Sequence, residues 1–268
     1  MSDDAGPGGA VTPSGSRPWP PLAGLTPARV ALGRAGDSLT TAALLALSLD
    51  HARARDAVLA PFDAVAVAER ITASGWPAVV AESQATDRRT HLLRPDLGRR
   101  LAPAARARLV ADHDTSRRAH DIVCIVSDGL SAPAAEAHAP ALARALLPSL
   151  AADGWRIAPV VVVPRGRVAL GDEIGELFAA RLALVLLGER PGLTAPASLG
   201  AYFVHDPRPG RTDAERNCVS NIHPGGLPPA AAAATLLWLL REARARGISG
   251  VALKDDREPP RLPPPAPG

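Results

Sequence analysis

A carboxylate that directly follows a buried apolar run, and a thiol set in a polar one, are the side chains of this sequence best placed to do chemistry. Glu189 stands between Gly188 and Arg190-Pro191-Gly192, just past the apolar run Leu182 to Leu187. There a carboxylate can accept hydrogen bonds from amide or hydroxyl donors on a ligand, or pair with a neighbouring arginine such as Arg190. Cys218 lies in the dense polar segment from Arg211 to His223, where a merely packed cysteine would be out of character; Cys124, inside an apolar run, reads as core. Two further clusters follow β-type runs. Ser127-Asp128-Gly129 ends the run Ile122 to Val126, and Arg165-Gly166-Arg167 ends the run Ala158 to Val163.

The same segments argue against several familiar reactions. Gly166 to Gly171 has the glycine spacing of a phosphate-binding loop, but Asp172 and Glu173 occupy the places where Lys and Ser or Thr would hold phosphate and magnesium. Those glycines otherwise shape a turn and cap the helix that follows. No GxGxxG follows the first strand, which disfavours a standard NAD site. Ser127, Asp128 and His138 lack the GxSxG elbow of a hydrolase triad. His113 and His120 lie near one helical face with Asp112, Asp114 and Asp121 close by, a set that solvated or capping roles explain more simply than a metal does. The corrinoid signature Asp-x-His-x-x-Gly occurs nowhere in the chain.

Elements of alternating type must hold these clusters. Helix-like stretches, Ala134 to Ala152 (closed by Asp153-Gly154) and Asp172 to Ala180, separate the β-type runs. That order predicts parallel strands with helical crossovers, so that the strand ends carrying the polar clusters converge on one rim. The expected fold class is α/β: a Rossmann-like open, mainly parallel sheet with a helical N-terminal region. The expected segments are a disordered leader (1–24), a mainly helical region (25–119), the α/β domain (120–255) and a disordered proline-rich tail (256–268). In the helical region Thr26-Pro27-Ala28-Arg29 offers a helix cap. Thr40 to Ala60 predicts one long helix burying a stripe of Leu44, Leu45, Leu47, Leu49, Val58 and Leu59. Pro61 to Ala73 predicts a second helix, and Pro77 to Ala81 a short strand. Gly188 to Pro229 reads as a long loop with one short strand, Ala201 to Val204. Ala230 to Ala245 predicts a helix, followed by a strand over Val251-Ala252-Leu253.

Composition narrows the classes further. The chain has 268 residues, a formal net charge of +3 and a single lysine, Lys254. Its arginines are scattered, and with aromatics at 3% there is little to stack on bases, so nucleic-acid binding is disfavoured. Apolar runs stop after about ten residues, short of a membrane span. Two cysteines in no zinc or CxxC spacing make no disulfide framework, and the leader lacks a signal peptide's basic and apolar regions. A cytoplasmic, reduced setting is expected.

Eight stretches together resemble the small (light) subunit of ethanolamine ammonia-lyase: TPARVALGRAGDSL, DHARARDAV, DIVCIVSDGLSA, GRVALGDEIGE, GERPGL, SLGAY, PRPGRTDAERNCVSNIHPGGL and REARARGISGVALKD. They occur in order from about residue 25 to residue 255, and their order and spacing make the resemblance specific. It implies a subunit of a hetero-oligomeric, adenosylcobalamin-dependent radical lyase that converts ethanolamine to acetaldehyde and ammonia. The large subunit would hold the substrate, and this chain would close over the cobalamin between them. The family's cobalamin contacts fall on Val168, Glu189 and Cys218; Arg167 joins them by adjacency alone. The absence of Asp-x-His-x-x-Gly agrees with the family. Some members are housed in bacterial microcompartments through the N-terminus, but this leader shows no amphipathic helix. The rival reading is a non-catalytic corrinoid- or nucleotide-binding module.

Overall fold

The computed structural model describes residues 30, 32, 34–112 and 120–257. The leader, the Thr26 to Arg29 cap, His113 and the tail beyond Arg257 lie outside the described residues. A two-stranded antiparallel hairpin, β1 (Arg34–Ala35) and β2 (Ser38–Leu39), turns at Gly36, whose φ of 62° suits glycine. The helices α1 (Thr41–Leu59), α2 (Ala64–Ala73) and α3 (Arg88–Leu93) each start from a side-chain cap: Thr40, Asp63 and Asp87 accept from Ala43, Ala66 and Thr90 N–H. Between α2 and α3 lies β3 (Ala78–Val80), and α4 (Pro103–Asp112) follows α3.

The remaining elements are β4 (His120–Ser127), α5 (Ala132–Ala152), β5 (Val160–Val162), α6 (Leu170–Leu177), β6 (Ala180–Gly188), β7 (Leu199–His205), β8 (Arg216–Ile222) and α7 (Pro229–Arg246). One six-stranded sheet runs in the order β3-β5-β4-β6-β7-β8. Its first four strands are parallel, and β7 and β8 add antiparallel to that edge. The chain is thus mixed α/β with a mostly parallel sheet, as the alternating runs predict.

Strand residues alternate between two cores, because successive side chains point to opposite faces. Ile122, Cys124 and Val126 of β4, with Leu182, Leu184 and Leu186 of β6, pack under α2, α5 and α7. Val123, Ile125, Ala183 and Val185 pack under α4 and α6. The central strands are therefore apolar on both faces, the mark of a sheet covered on both sides. From β4 the chain passes through α5 to β5, then returns through α6 to β6 on the other side of β4. Such a reversal of strand order opens a crevice beyond the carboxyl ends. There Leu130 N–H donates to the Gly188 carbonyl at 2.9 Å, and Gly129 (φ 48°) and Gly188 lie too close to neighbouring backbone for either to carry a Cβ.

Three expectations need correction, and one element has no forerunner in the sequence reading. The stretch 188–229 is not one long loop, because β7 is longer than expected and Arg216–Ile222 is the edge strand β8. Only Val219 and Ile222 of β8 are buried, so its polar sequence hid the alternation. Residues 250–252 form a 3-10 turn instead of a strand, which Asn217 ties to β8 through Gly250 and Leu253. The hairpin of β1 and β2 has no counterpart in the sequence reading. Finally, the leucine stripe of α1 is not buried: Ala57 is its one buried residue, and Leu44, Leu45, Leu49 and Leu59 are exposed.

Candidate functional site

Parallel strands deliver the loops after β3, β4, β5 and β6 to one edge of the sheet, and the chain enters β7 and leaves β8 at that same edge. Glu189 follows β6 there. Its Oε2 accepts from Ser198 Oγ at 2.6 Å and from Asn221 N–H at 3.3 Å, while Oε1 has only a loose 3.5 Å approach from the Tyr202 hydroxyl. No ion pair joins it to Arg190 among the described residues, so hydroxyl and backbone donors hold the carboxylate. A carboxylate oxygen has two lone-pair sites, and Oε1 keeps capacity for a further donor.

Register brings Cys218 to the same place. It pairs across the strands with Tyr202, so the two side chains share the α6 face. Tyr202 stands between Glu189 and Cys218 and interacts with both; burial first, then those neighbours, raise its phenol pKa. Cys218 is exposed as a residue, yet atoms crowding its sulfur, with the Glu189 charge, push the thiol up. Gly200 leaves the room: a Cβ there would strike the Tyr202 ring and Glu189 Oε1. Val168 is half-buried and packs, like Tyr202, on the α6-side core. The structure thus brings Glu189 and Cys218 together through Tyr202 and places Val168 on the same face of the sheet.

Arg167 behaves differently. Its N–H donates to Gly98 O and its Nη2 to His91 O, both at 2.8 Å, so the side chain faces inward. Burial lowers its pKa, and its Nε is buried without a partner. Arg167 thereby ties the 165–168 loop to Gly98 and His91. His91 is the other half of this clamp. It is fully buried, with Nδ1 2.8 Å from Arg165 O; a carbonyl only accepts, so Nδ1 carries the hydrogen. Burial, then the Arg167 charge, pull its pKa down to about 4. Asp128 completes the support, accepting from Arg165 N–H and from Arg88 Nη1 at 2.9 Å. Burial raises its pKa against those partners.

Residues 16–254 match the family profile of the ethanolamine ammonia-lyase light chain (EutC). The chain belongs to the ethanolamine ammonia-lyase light-chain family. It is 51% identical over 251 residues to a protein of Azotobacter vinelandii named ethanolamine ammonia-lyase small subunit, covering 94% of this chain and 93% of that one. Proteins of the same name from Rhodopseudomonas palustris and Ralstonia nicotianae are 54% and 50% identical, over 87% and 91% of this chain and 88% and 91% of theirs.

In this light-chain family member a hydrolase triad finds no support in the geometry. Ser127 Oγ accepts from Gly166 N–H and His138 Nε2 lies 3.2 Å from Ala197 O, so no triad forms with Asp128. Among the described residues no group of three His, Cys, Asp or Glu side chains is placed to hold a metal. A cleft of about 830 Å³ lies at the opposite edge of the sheet beside Arg181, His205, Arg208 and Arg244. Three of its arginines are already ion-paired, Arg181 and Arg244 with Asp121 and Arg208 with Asp206. Sequence reasoning missed Ser198, Tyr202 and Asn221 as partners of Glu189; the β7–β8 pairing is what delivers Tyr202 and Asn221, and β8 was not foreseen.

Proposed function

We propose that this chain is the small subunit of an adenosylcobalamin-dependent ethanolamine ammonia-lyase, and that its rim closes the cobalamin site against the large subunit. The observation that carries the reading is Glu189, a carboxylate fixed at the switch-point rim with one oxygen still able to accept. A corrinoid is edged with amide arms, which supply the N–H donors that Oε1 lacks. Val168 offers an apolar contact on the β5 side and Cys218 a soft one on the β8 side, so the set suits an amide-rich macrocycle that spans the rim. When bound, that cofactor would supply radical chemistry, removing hydrogen from ethanolamine so that ammonia leaves and acetaldehyde forms.

This chain's own residues would bind, orient and shield. Glu189 receives amide donors while Ser198 and Asn221 keep it from swinging away. The clamp of His91, Arg167 and Gly98 fixes the loop that presents Val168. No helix of the described residues is long and apolar enough to cross a membrane. A cytoplasmic hetero-oligomer, and a Rossmann-like description of the sheet around β4, belong to the same reading. The test is equilibrium binding of adenosylcobalamin to the assembled pair. Glu189→Gln keeps shape but removes charge, and should weaken binding about tenfold, roughly 1.4 kcal/mol. Unchanged affinity would remove Glu189 from the site.

A further inference from the structure

The helix α1 is the feature that the candidate rim does not absorb. Its first half, TAALLALSL, carries leucine on a wide arc, and such a helix is normally buried. Here Leu44, Leu45 and Leu49 are 53%, 65% and 50% exposed. Only Ala57, in the last turn, is buried, although α1 also touches α5. A helix draws most of its stability from packing an apolar face, and this face has no partner within the described chain.

The last turn of α1 is tied to the rim by one residue. Arg88 donates through Nε to Val58 O, and through Nη1 to Asp128 Oδ2 at 2.9 Å and Gly129 O at 2.8 Å. Asp128 in turn holds the Arg165 N–H of the loop that leads to Val168. Arg88 therefore anchors the C-terminal end of the leucine-bearing helix beside the loops of the candidate cofactor rim.

We propose that α1 is the surface on which the large subunit docks, its leucine face entering an apolar groove of that subunit while the same subunit covers the rim. This rests on the reading of the chain as the small subunit. Area favours that occupant over a second copy. A helix of 19 residues is about 28 Å long and about 10 Å wide, so its outward half offers on the order of 500 Å². A standard interface buries about 800 Å² on each partner. Two α1 helices packed on each other fall short of that, whereas a partner that also covers the neighbouring rim adds a second patch to the area of α1.

The experiment titrates this chain onto immobilised ethanolamine ammonia-lyase large subunit. The variant Leu44→Gln/Leu45→Gln/Leu49→Gln uses good helix formers and should bind at least tenfold more weakly, with its helical circular dichroism and melting transition retained. Arg246→Gln, at the opposite edge, should bind as the wild type does. If the triple variant loses its melting transition, Leu45→Gln alone replaces it, with a several-fold loss expected. Wild-type affinity in a folded leucine variant overturns the docking surface and leaves the small-subunit reading standing. A wild-type chain that dimerises through these leucines, with large-subunit binding untouched by the variant, overturns it in favour of a second copy. A wild-type chain that never binds the large subunit sinks both.

Discussion

Glu189 keeps its place through partners that carry no charge: a serine hydroxyl, a tyrosine hydroxyl and one backbone amide. A carboxylate paired with arginine would have little left to offer an amide ligand, so the absence of Arg190 from this set matters to the chemistry. The loop bearing Val168 depends instead on His91, a buried neutral ring. Its folded pKa of about 4 lies below the unfolded value near 6.5, so the unfolded chain binds the extra proton between those limits. The stability it contributes is complete above pH 6.5 and is lost as pH falls toward 4, on the order of 2 kcal/mol once residual solvent screening is allowed for. Urea denaturation at several pH values should show this loss, and His91→Asn, which keeps an N–H near the place of Nδ1, should flatten the profile over that window. An unchanged profile would mean that the ring is not held neutral.

At the scale of elements, the meeting of β4 and β6 sets the shape of the rim. Gly188→Ala would drive a Cβ into the carbonyl oxygens of Ser131 and Asp128, neither of which can move without shifting the start of α5. We expect a loss of about 1–3 kcal/mol, seen as a lower urea midpoint with an unchanged slope. An unaltered midpoint would show that the crevice is looser than the packing implies. The central strands were legible in the sequence because Ile122 to Val126 and Leu182 to Leu187 are apolar on both faces, and α5 because Asp153-Gly154 marks its end. The edge was not legible. In β8 the residues Arg216, Asn217, Cys218, Ser220 and Asn221 look like loop because they lie at a sheet edge, where the Asn217 side chain bonds to the C-terminal turn and no further strand follows. The polarity that marked Cys218 as a site residue is the same polarity that concealed its strand. Leucine periodicity in α1 predicts the helix but not its exposure within this chain, since periodicity reports an apolar face and not what covers it.

For the whole molecule, the sheet divides the surface into two unlike edges. One carries ion-paired arginines around a groove; the other carries Glu189, Cys218 and Val168, with α1 fastened beside them by Arg88. On the proposed reading the second edge is incomplete by construction, because the groups that bind ethanolamine belong to the large subunit. The most direct measurement is acetaldehyde formation from ethanolamine and adenosylcobalamin by this chain alone, by the large subunit alone, and by the two together. The account predicts turnover only in the combination. A correctly assembled pair that makes no acetaldehyde, or a large subunit fully active without this chain, would contradict it.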